Sequence, residues 1–279
     1  AELLNYTGGA LFYLVLMLIL YWLVDREYGI RAAFALIVGG MSNAAMKVAL
    51  ARPRPFDVSE AVMPLVEADG FGLPSGHVMA SLVFFGYIAY TLHDRRATIA
   101  AGVYVVLQMW ARMYLGVHYP QDVLLGLFAG LVVLYAFIEL VGPVARTWNR
   151  LTLSAQVATA ILLAIMAPIL VFNNDDGMAL AGVLFGAVVG IILIERRGMK
   201  FEARGVQLSP QVQINWLRIG LFLVGSTLAV LILFATSPLV EPLAEEGSGG
   251  AALLRMGRYA LTALFIVIGW PFIAYRKRN

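Results

Sequence analysis

The chain contains no cysteine among its 279 residues, and only 13% of them carry a charged side chain. Without cysteine, the protein has no disulfide, no thiolate nucleophile and no cysteine-ligated zinc site. A soluble domain has about 25% charged residues, so most of this protein's surface does not face water. A net charge of +3, with no basic surface rich in aromatic residues, argues against a nucleic-acid partner. These absences predict one bundle embedded in a membrane.

Hydrophobic residues make up 61% of the chain, and they are grouped into runs long enough to cross a bilayer. A helix needs about 20 residues to span the apolar core of a membrane. We therefore predict an all-α, polytopic membrane bundle of about nine transmembrane helices. No charged segment precedes the first run, so we expect it to be a retained span and not a cleaved leader. The predicted spans are residues 9–24, 30–50, 78–92, 98–115, 123–141, 154–172, 178–194, 214–236 and 252–274.

The segments that connect these runs alternate in charge. One set, at 25–31, 93–97, 144–150, 195–204 and 275–279, holds thirteen of the twenty lysines and arginines. Basic loops of membrane proteins stay on the cytoplasmic side. The alternation therefore predicts an outward N-terminus, a cytoplasmic C-terminus and insertion in the inner (plasma) membrane.

Three short segments at the outward ends of spans stand out. They read KVALARPRP at 47–55, PSGH at 74–77 and RMYLGVHYPQD at 112–122. The first two share one loop, and the third follows a complete inward-and-outward hairpin, so the topology brings all three to the same membrane face. Cations are disfavoured on that face, which indicates that those in these segments serve a function.

The residue types in these segments suit a phosphate dianion. Lys47, Arg54 and Arg112 are cationic donors, of which arginine offers a planar fork and lysine a point charge. Ser75 and Gly76 stand just before an apolar run. Their backbone N–H groups are therefore predicted to lie at a helix N-terminus, where anions bind.

Two histidines and an aspartate could supply the reactive groups. His118 and Asp122 are four residues apart, and a helix that begins near Pro120 would let the carboxylate bind one imidazole nitrogen. The other nitrogen would then be free as a nucleophile, and His77 would serve as general acid and base. No cluster of carboxylates accompanies these residues, so we predict catalysis without a metal or any other cofactor.

The three segments resemble the signatures K-x6-R-P, P-S-G-H and S-R-x5-H-x3-D of the type 2 phosphatidic acid phosphatase (PAP2) superfamily, which includes glucose-6-phosphatase and the vanadium haloperoxidases. The resemblance implies a six-helix core and a phospho-histidine intermediate on His118, with Asp122 as its orienting partner and His77 as the acid. The third signature usually begins with serine, and Ala111 here removes that hydroxyl contact. The implied phosphate-binding residues are Lys47, Arg54, Ser75, Gly76 and Arg112.

The resemblance covers residues 40–125. We predict a catalytic membrane core over 1–175 and additional transmembrane helices over 176–279. The implied substrate is a lipid phosphate or lipid diphosphate, reached on the outer, periplasmic face, with membrane lipids as further partners. The nine-span topology is similar to that of glucose-6-phosphatase, so a sugar phosphate is an alternative, and a transporter or scaffold is another. The haloperoxidases are soluble, which argues against that activity.

Patterns outside the three motifs predict packing. Gly182, Gly186 and Gly190 recur every four residues and predict a close helix contact, either within the chain or in a homodimer. Asn43, in the second run, is expected to hydrogen-bond to a neighbouring segment. Segment 56–71 is predicted to be a loop, with a short amphipathic helix as an alternative for part of it, and we hypothesise that it caps the site.

Overall fold

The computed structural model describes residues 1–172, 174–196, 216–240, 243–244 and 248–274. Within these ranges the regular structure is entirely helical, which confirms the predicted all-α class. Two short π-helical turns continue the second and twelfth helices, at Ile19–Val24 and Phe265–Gly269. The helices are Glu2–Thr7 (α1), Ala10–Leu18 (α2), Arg26–Leu50 (α3), Pro55–Val58 (α4), Gly76–Leu92 (α5), Arg95–Tyr114 (α6), Pro120–Trp148 (α7), Leu153–Leu170 (α8), Asp175–Glu195 (α9), Trp216–Ala235 (α10), Ser237–Val240 (α11), Gly249–Leu264 (α12) and Trp270–Ala274 (α13).

Six helical segments of the described part are long and apolar enough to cross a membrane. They contain α3, α7, α8, α9, α10 and the continuous run from α12 into α13. The helix that begins with α2 and the helix α5 are apolar but shorter. Helix α6 occupies the fourth predicted span. The six long segments, the two shorter helices and α6 together agree with the prediction of about nine membrane helices. The basic segments at 197–204 and 275–279, which helped to orient the predicted topology, lie outside the described residues.

The chain packs as two compact units. The first combines Ala1–Met17 with Arg31–Val141, and the second combines Leu18–Ile30 with Gly142–Asn279. These units are defined by packing. The predicted division at residue 175 instead separates a catalytic part from a C-terminal extension by function, and it stays a prediction.

The first unit has its core where α5, α6 and α7 meet. Val78, Val105 and Val123, one from each helix, are fully or almost fully buried against one another. Because Val78 and Val123 lie in the first turns of α5 and α7, this contact places the starts of both helices together. The turn between α6 and α7 contains Gly116 at φ +72°, where a side chain would be strained and would press on the Met63 carbonyl oxygen.

In the second unit, the glycine stripe of α9 lies against α12 and the π-helical turn that follows it. A methyl group on Gly182 would overlap the carbonyl oxygen of Met256, and one on Gly186 would overlap that of Ala260. Without side chains the two backbones approach closely, as is common between membrane helices. The stripe therefore mediates a contact within the chain, which confirms the internal alternative. It offers no support for a homodimer.

Candidate active site

The three motifs are joined by hydrogen bonds inside the first unit. An Arg54 guanidinium nitrogen (Nη1) donates to the carbonyl oxygen of Val117 at 3.1 Å, which links the first motif to the third. The backbone N–H of Ser75 donates to the carbonyl oxygen of Asp122 at 3.0 Å, which links the second motif to the third. The structure therefore brings the three segments together, and their position at one face of a membrane stays a prediction.

The imidazole of His118 is held by a buried carboxylate. Its Nδ1 lies 3.3 Å from Oδ2 of Asp122, which has no solvent exposure and also accepts the backbone N–H of Tyr119 at 2.9 Å. Pro120 begins α7, so Asp122 falls in the first helical turn and reaches back to the histidine. This is the contact that the four-residue spacing predicts.

The surroundings of His118 keep its imidazole neutral. Burial lowers the pKa of His118 from 6.5 to about 4, the Asp122 hydrogen bond raises it in part, and the positive charges of Arg54, Arg112 and Lys47 lower it further. Because a carboxylate at Nδ1 can only accept, that nitrogen carries the proton, and Nε2 keeps its lone pair. Nε2 lies 3.4 Å from Arg54 Nη1, beside a fixed positive charge.

The guanidinium of Arg54 is held by main-chain oxygens. Its Nε donates to the carbonyl of Gly70 at 2.9 Å and its Nη2 to that of Asp69 at 2.7 Å, in addition to the bond to Val117. The residue is 5% exposed. These carbonyls orient the guanidinium and place its positive charge next to His118.

The loop between α4 and α5 supplies two of these oxygens and also meets Lys47. The Lys47 ammonium, in the last turn of α3, donates to the carbonyl of Phe71 at 2.5 Å. The backbone N–H of Gly72 donates to the carbonyl of Arg52 at 2.8 Å, which ties the end of the loop to the first motif. The loop therefore lies directly against two of the predicted phosphate-binding cations, as the cap hypothesis expects.

Arg112 and His77 meet at a residue that no motif contains. Arg112, 3% exposed, donates through Nη1 to the side-chain oxygen of Asn5 on α1. Nε2 of His77, in the first turn of α5, lies 3.3 Å from the backbone carbonyl oxygen of the same asparagine. The imidazole of His77 also lies within electrostatic range of His118 and Lys47.

The prediction for Ser75 needs one correction. Its backbone N–H is not available to an anion, because the packing of α5 against the start of α7 pairs it with Asp122. Its hydroxyl is buried and has no hydrogen-bond partner. Gly76 is the first residue of α5 and packs against the Asn43 side chain, where a Cβ would lie 3.2 Å from the amide oxygen. The hydroxyl of Ser75, and not its N–H, is the free donor.

Two donors on residues predicted to bind phosphate are buried without a partner. They are the hydroxyl of Ser75 and the Nε of Arg112. Buried polar groups are almost always hydrogen-bonded, because leaving one unpaired costs about 1–3 kcal/mol. A ligand with several acceptor oxygens would satisfy both. Among the residues that the structure describes, no group of three or more His, Asp and Glu side chains could hold a metal ion, and catalysis without a metal stays a prediction.

Sequence reasoning found the motif residues but missed part of their support. Asn43 was expected to bond to a neighbouring segment, and its amide nitrogen donates to the carbonyl of Pro74 at 3.2 Å, which confirms that expectation. Asn5 was not predicted, because it lies over a hundred residues from Arg112 and in no recognisable pattern. An asparagine in a short segment before the first apolar run is too common a feature to signal this contact.

Comparison with known protein families gives two matches. The family described as "PAP2 superfamily" matches residues 28–146, and the family described as "PAP2 superfamily phosphatase, transmembrane extension" matches residues 178–278. Together the two segments take in well over half of the chain. The first match contains every predicted site residue, and the second covers most of the predicted C-terminal extension.

Two curated proteins are similar to parts of the chain. Phosphatidylglycerophosphatase B of Bacillus subtilis (strain 168) is 40% identical over 81 residues, which are 26% of this chain and 40% of that protein. Undecaprenyl-diphosphatase of Sulfolobus acidocaldarius is 27% identical over 136 residues, which are 47% of this chain and 65% of that protein. The chain thus spans less than two thirds of either relative. No solved structure matches it significantly.

Proposed function

Because the chain belongs to the PAP2 superfamily, we propose that it hydrolyses a lipid phosphate or lipid diphosphate through a phospho-histidine intermediate on His118. It is an integral membrane protein, with helices that can span a bilayer in both family segments. The observation that carries the proposal is the environment of His118. Its imidazole is buried and neutral, Asp122 holds one nitrogen, and the other nitrogen faces a cation.

The first step is attack on phosphorus. The lone pair of His118 Nε2 forms a bond to phosphorus while the bond from phosphorus to the leaving oxygen breaks. His77 gives a proton to that oxygen, which departs as an alcohol or, from a diphosphate, as a lipid monophosphate. The imidazole becomes positively charged as the bond forms, and the carboxylate of Asp122 at Nδ1 stabilises this charge.

The second step returns the enzyme to its starting state. His77, now neutral, takes a proton from water as the water oxygen bonds to phosphorus. The bond between phosphorus and Nε2 breaks, inorganic phosphate leaves, and His118 recovers its lone pair. The same imidazole thus serves as acid and then as base, which restores its proton at the end of the cycle.

The three cations stabilise the charge on the phosphoryl oxygens. Arg54, Arg112 and Lys47 all act electrostatically on His118, so they lie around the position of the transferred group. Fixed cations in a site shielded from water lower the barrier without reorganising during the reaction. The hydroxyl of Ser75 and the Nε of Arg112 add donors that have no other partner.

Several observations support a lipid substrate on the outer face of the inner membrane. The names of both curated relatives describe enzymes that act on lipids, and neither name points to a sugar phosphate. Leu3 and Tyr6 of α1 and Trp110 and Tyr114 of α6 are exposed apolar or aromatic residues on helices that border the site. Such residues gather at the membrane interface, where lipid headgroups lie. The outward orientation is supported by the charge pattern of the connecting segments.

The test is an assay of purified protein in detergent with EDTA. The substrates would be undecaprenyl diphosphate, phosphatidylglycerophosphate, phosphatidate and glucose 6-phosphate. We expect phosphate release from at least one lipid, abolished by His118→Ala and retained by His93→Ala, which removes an exposed histidine at the other end of α5. Substrate labelled with ³²P should leave an acid-labile label on the protein.

Three results would contradict parts of the proposal. Phosphate release that survives His118→Ala would exclude this histidine as the nucleophile. Release that is abolished by EDTA would exclude a reaction without a metal. Activity confined to glucose 6-phosphate would replace the lipid by a sugar as the substrate.

A further inference from the structure

The helix α1 meets the site but belongs to none of the three motifs. We propose that Asn5 is a positioning residue, which orients Arg112 through its side chain and fixes the tautomer of His77 through its backbone carbonyl. The inference rests on the proposed phosphatase function and adds a fourth chain segment to its active site.

Helix α1 is firmly attached to α6. The hydroxyl of Tyr104 donates to the carbonyl of Thr7 at 2.7 Å, and the amide nitrogen of Gln108 donates to the carbonyl of Leu4 at 2.9 Å. Gln108 is completely buried and also donates to the Tyr104 hydroxyl at 2.8 Å. The two side chains of α6 thus bind two main-chain carbonyls of α1. Asn5 lies between these two anchor points and is held in a defined place.

The side chain of Asn5 suits the task of orienting Arg112. Its oxygen accepts from Nη1, while the Nε on the same guanidinium remains unpaired. A guanidinium is planar, so fixing one nitrogen restricts the directions of the others. The amide oxygen is neutral, so it holds the cation without lowering the charge that attracts phosphate. A carboxylate at this position would bind Arg112 more strongly but would compete with the substrate for it.

The backbone of Asn5 acts on the second histidine. A carbonyl oxygen can only accept, so Nε2 of His77, at 3.3 Å from it, must carry a hydrogen. Nδ1 is then the nitrogen that gives and takes the proton during the reaction. Gly8 allows α1 to lie close to His77, because a methyl group at this position would overlap the imidazole carbon Cδ2 of His77.

The side-chain half of the proposal is tested with Asn5→Ala and Asn5→Asp. Tyr6→Phe, a change at the adjacent exposed position, is the control. The measurements are kcat, KM and the inhibition constant of orthovanadate, an analogue of the transferred phosphoryl group, with melting temperature as a check on folding. We expect Asn5→Ala to weaken vanadate inhibition about tenfold or more, since a hydrogen bond to a charged group is lost. Asn5→Asp should weaken it further and raise KM, although its melting temperature should equal or exceed that of the wild type.

The Asn5→Asp variant distinguishes a residue that positions Arg112 for phosphate from a residue that only holds α1 in place. If Asn5 only held the helix in place, a carboxylate would hold Arg112 at least as well, and the kinetic constants would stay at wild-type values. That result, or unchanged constants in Asn5→Ala, would overturn the proposal. A wild-type protein that releases no phosphate from any substrate would instead contradict the proposed function, and would do so before any variant was compared.

The backbone half is tested with Gly8→Ala, because the added methyl group would overlap Cδ2 of His77 and turn the imidazole away from the Asn5 carbonyl. We expect kcat to fall about tenfold or more with little change in vanadate inhibition, because proton transfer is affected and phosphate binding is not. The opposite pattern, in which binding weakens and kcat is kept, would show that the carbonyl of Asn5 has no part in orienting His77.

Discussion

The carboxylate of Asp122 should contribute to catalysis through its charge, and Asp122→Asn isolates that contribution. The substitution keeps the shape of the side chain and leaves an oxygen to accept the N–H of His118 and that of Tyr119. It removes the negative charge that faces the imidazolium formed during attack. At the observed 3.3 Å, and with an effective dielectric constant of about 20, this attraction amounts to about 5 kcal/mol. Because the asparagine dipole retains part of it, kcat should fall by about 10²- to 10⁴-fold.

The assay is steady-state phosphate release from the preferred lipid, with melting temperature in detergent measured in parallel. Glu60→Gln is the matched control, since it removes one negative charge from an exposed position in the neighbouring loop. We expect the control to keep wild-type kcat and the Asp122 variant to remain folded. A kcat within about threefold of the wild type in a folded Asp122→Asn protein would refute the assigned role of the carboxylate.

Three further predictions concern other parts of the molecule. Burial and nearby cations lower the pKa of His118 to about 4, so the acid limb of the kcat/KM profile due to this nucleophile should lie well below pH 6.5. Because Lys47→Met removes one of these cations, it should raise the pKa and move the acid limb to higher pH. An acid limb at the wild-type pH in this variant would contradict the electrostatic coupling. Ser75→Ala should weaken vanadate inhibition about tenfold without lowering the melting temperature, since the buried hydroxyl has no partner to lose. Gly186→Ala should lower the melting temperature by several degrees, because its methyl group would overlap a backbone carbonyl of α12. Gly257→Ala is the control, since Gly257 has open space around it, and it should leave the melting temperature unchanged. Equal effects of the two substitutions would contradict the close contact.

Much of the candidate site could be predicted because its residues are close in sequence or joined by topology. The pairing of His118 with Asp122 depends on a four-residue interval and on Pro120 at the start of a helix, and both are visible in the sequence. The meeting of the three motifs follows from counting spans, since a helical hairpin returns the chain to the same face. The internal contact of the Gly182 stripe was one of two alternatives, and only the packing of α9 against α12 decided between them.

The missed features depend on the precise placement of backbone groups. The N–H of Ser75 was predicted to be free at a helix N-terminus, but the arrival of α7 beside it supplies a carbonyl partner. The oxygens that hold Arg54 come from the main chain, and a main-chain carbonyl leaves no trace in the residue types. The contact between Asn5 and Arg112 joins segments over a hundred residues apart, which no local pattern could connect.

The main-chain hold on Arg54 has a consequence for how this protein can change. Every amino acid supplies a carbonyl oxygen, so the loop from 59 to 73 holds this arginine through the path of its backbone. Gly70 is needed for that path, because its φ of +64° favours glycine. Met63 and Leu65 of this loop are exposed, at 80% and 58%, and can be exchanged without touching the reacting groups. The exposed side chains of this loop can therefore vary while the positive charge beside His118 stays in place.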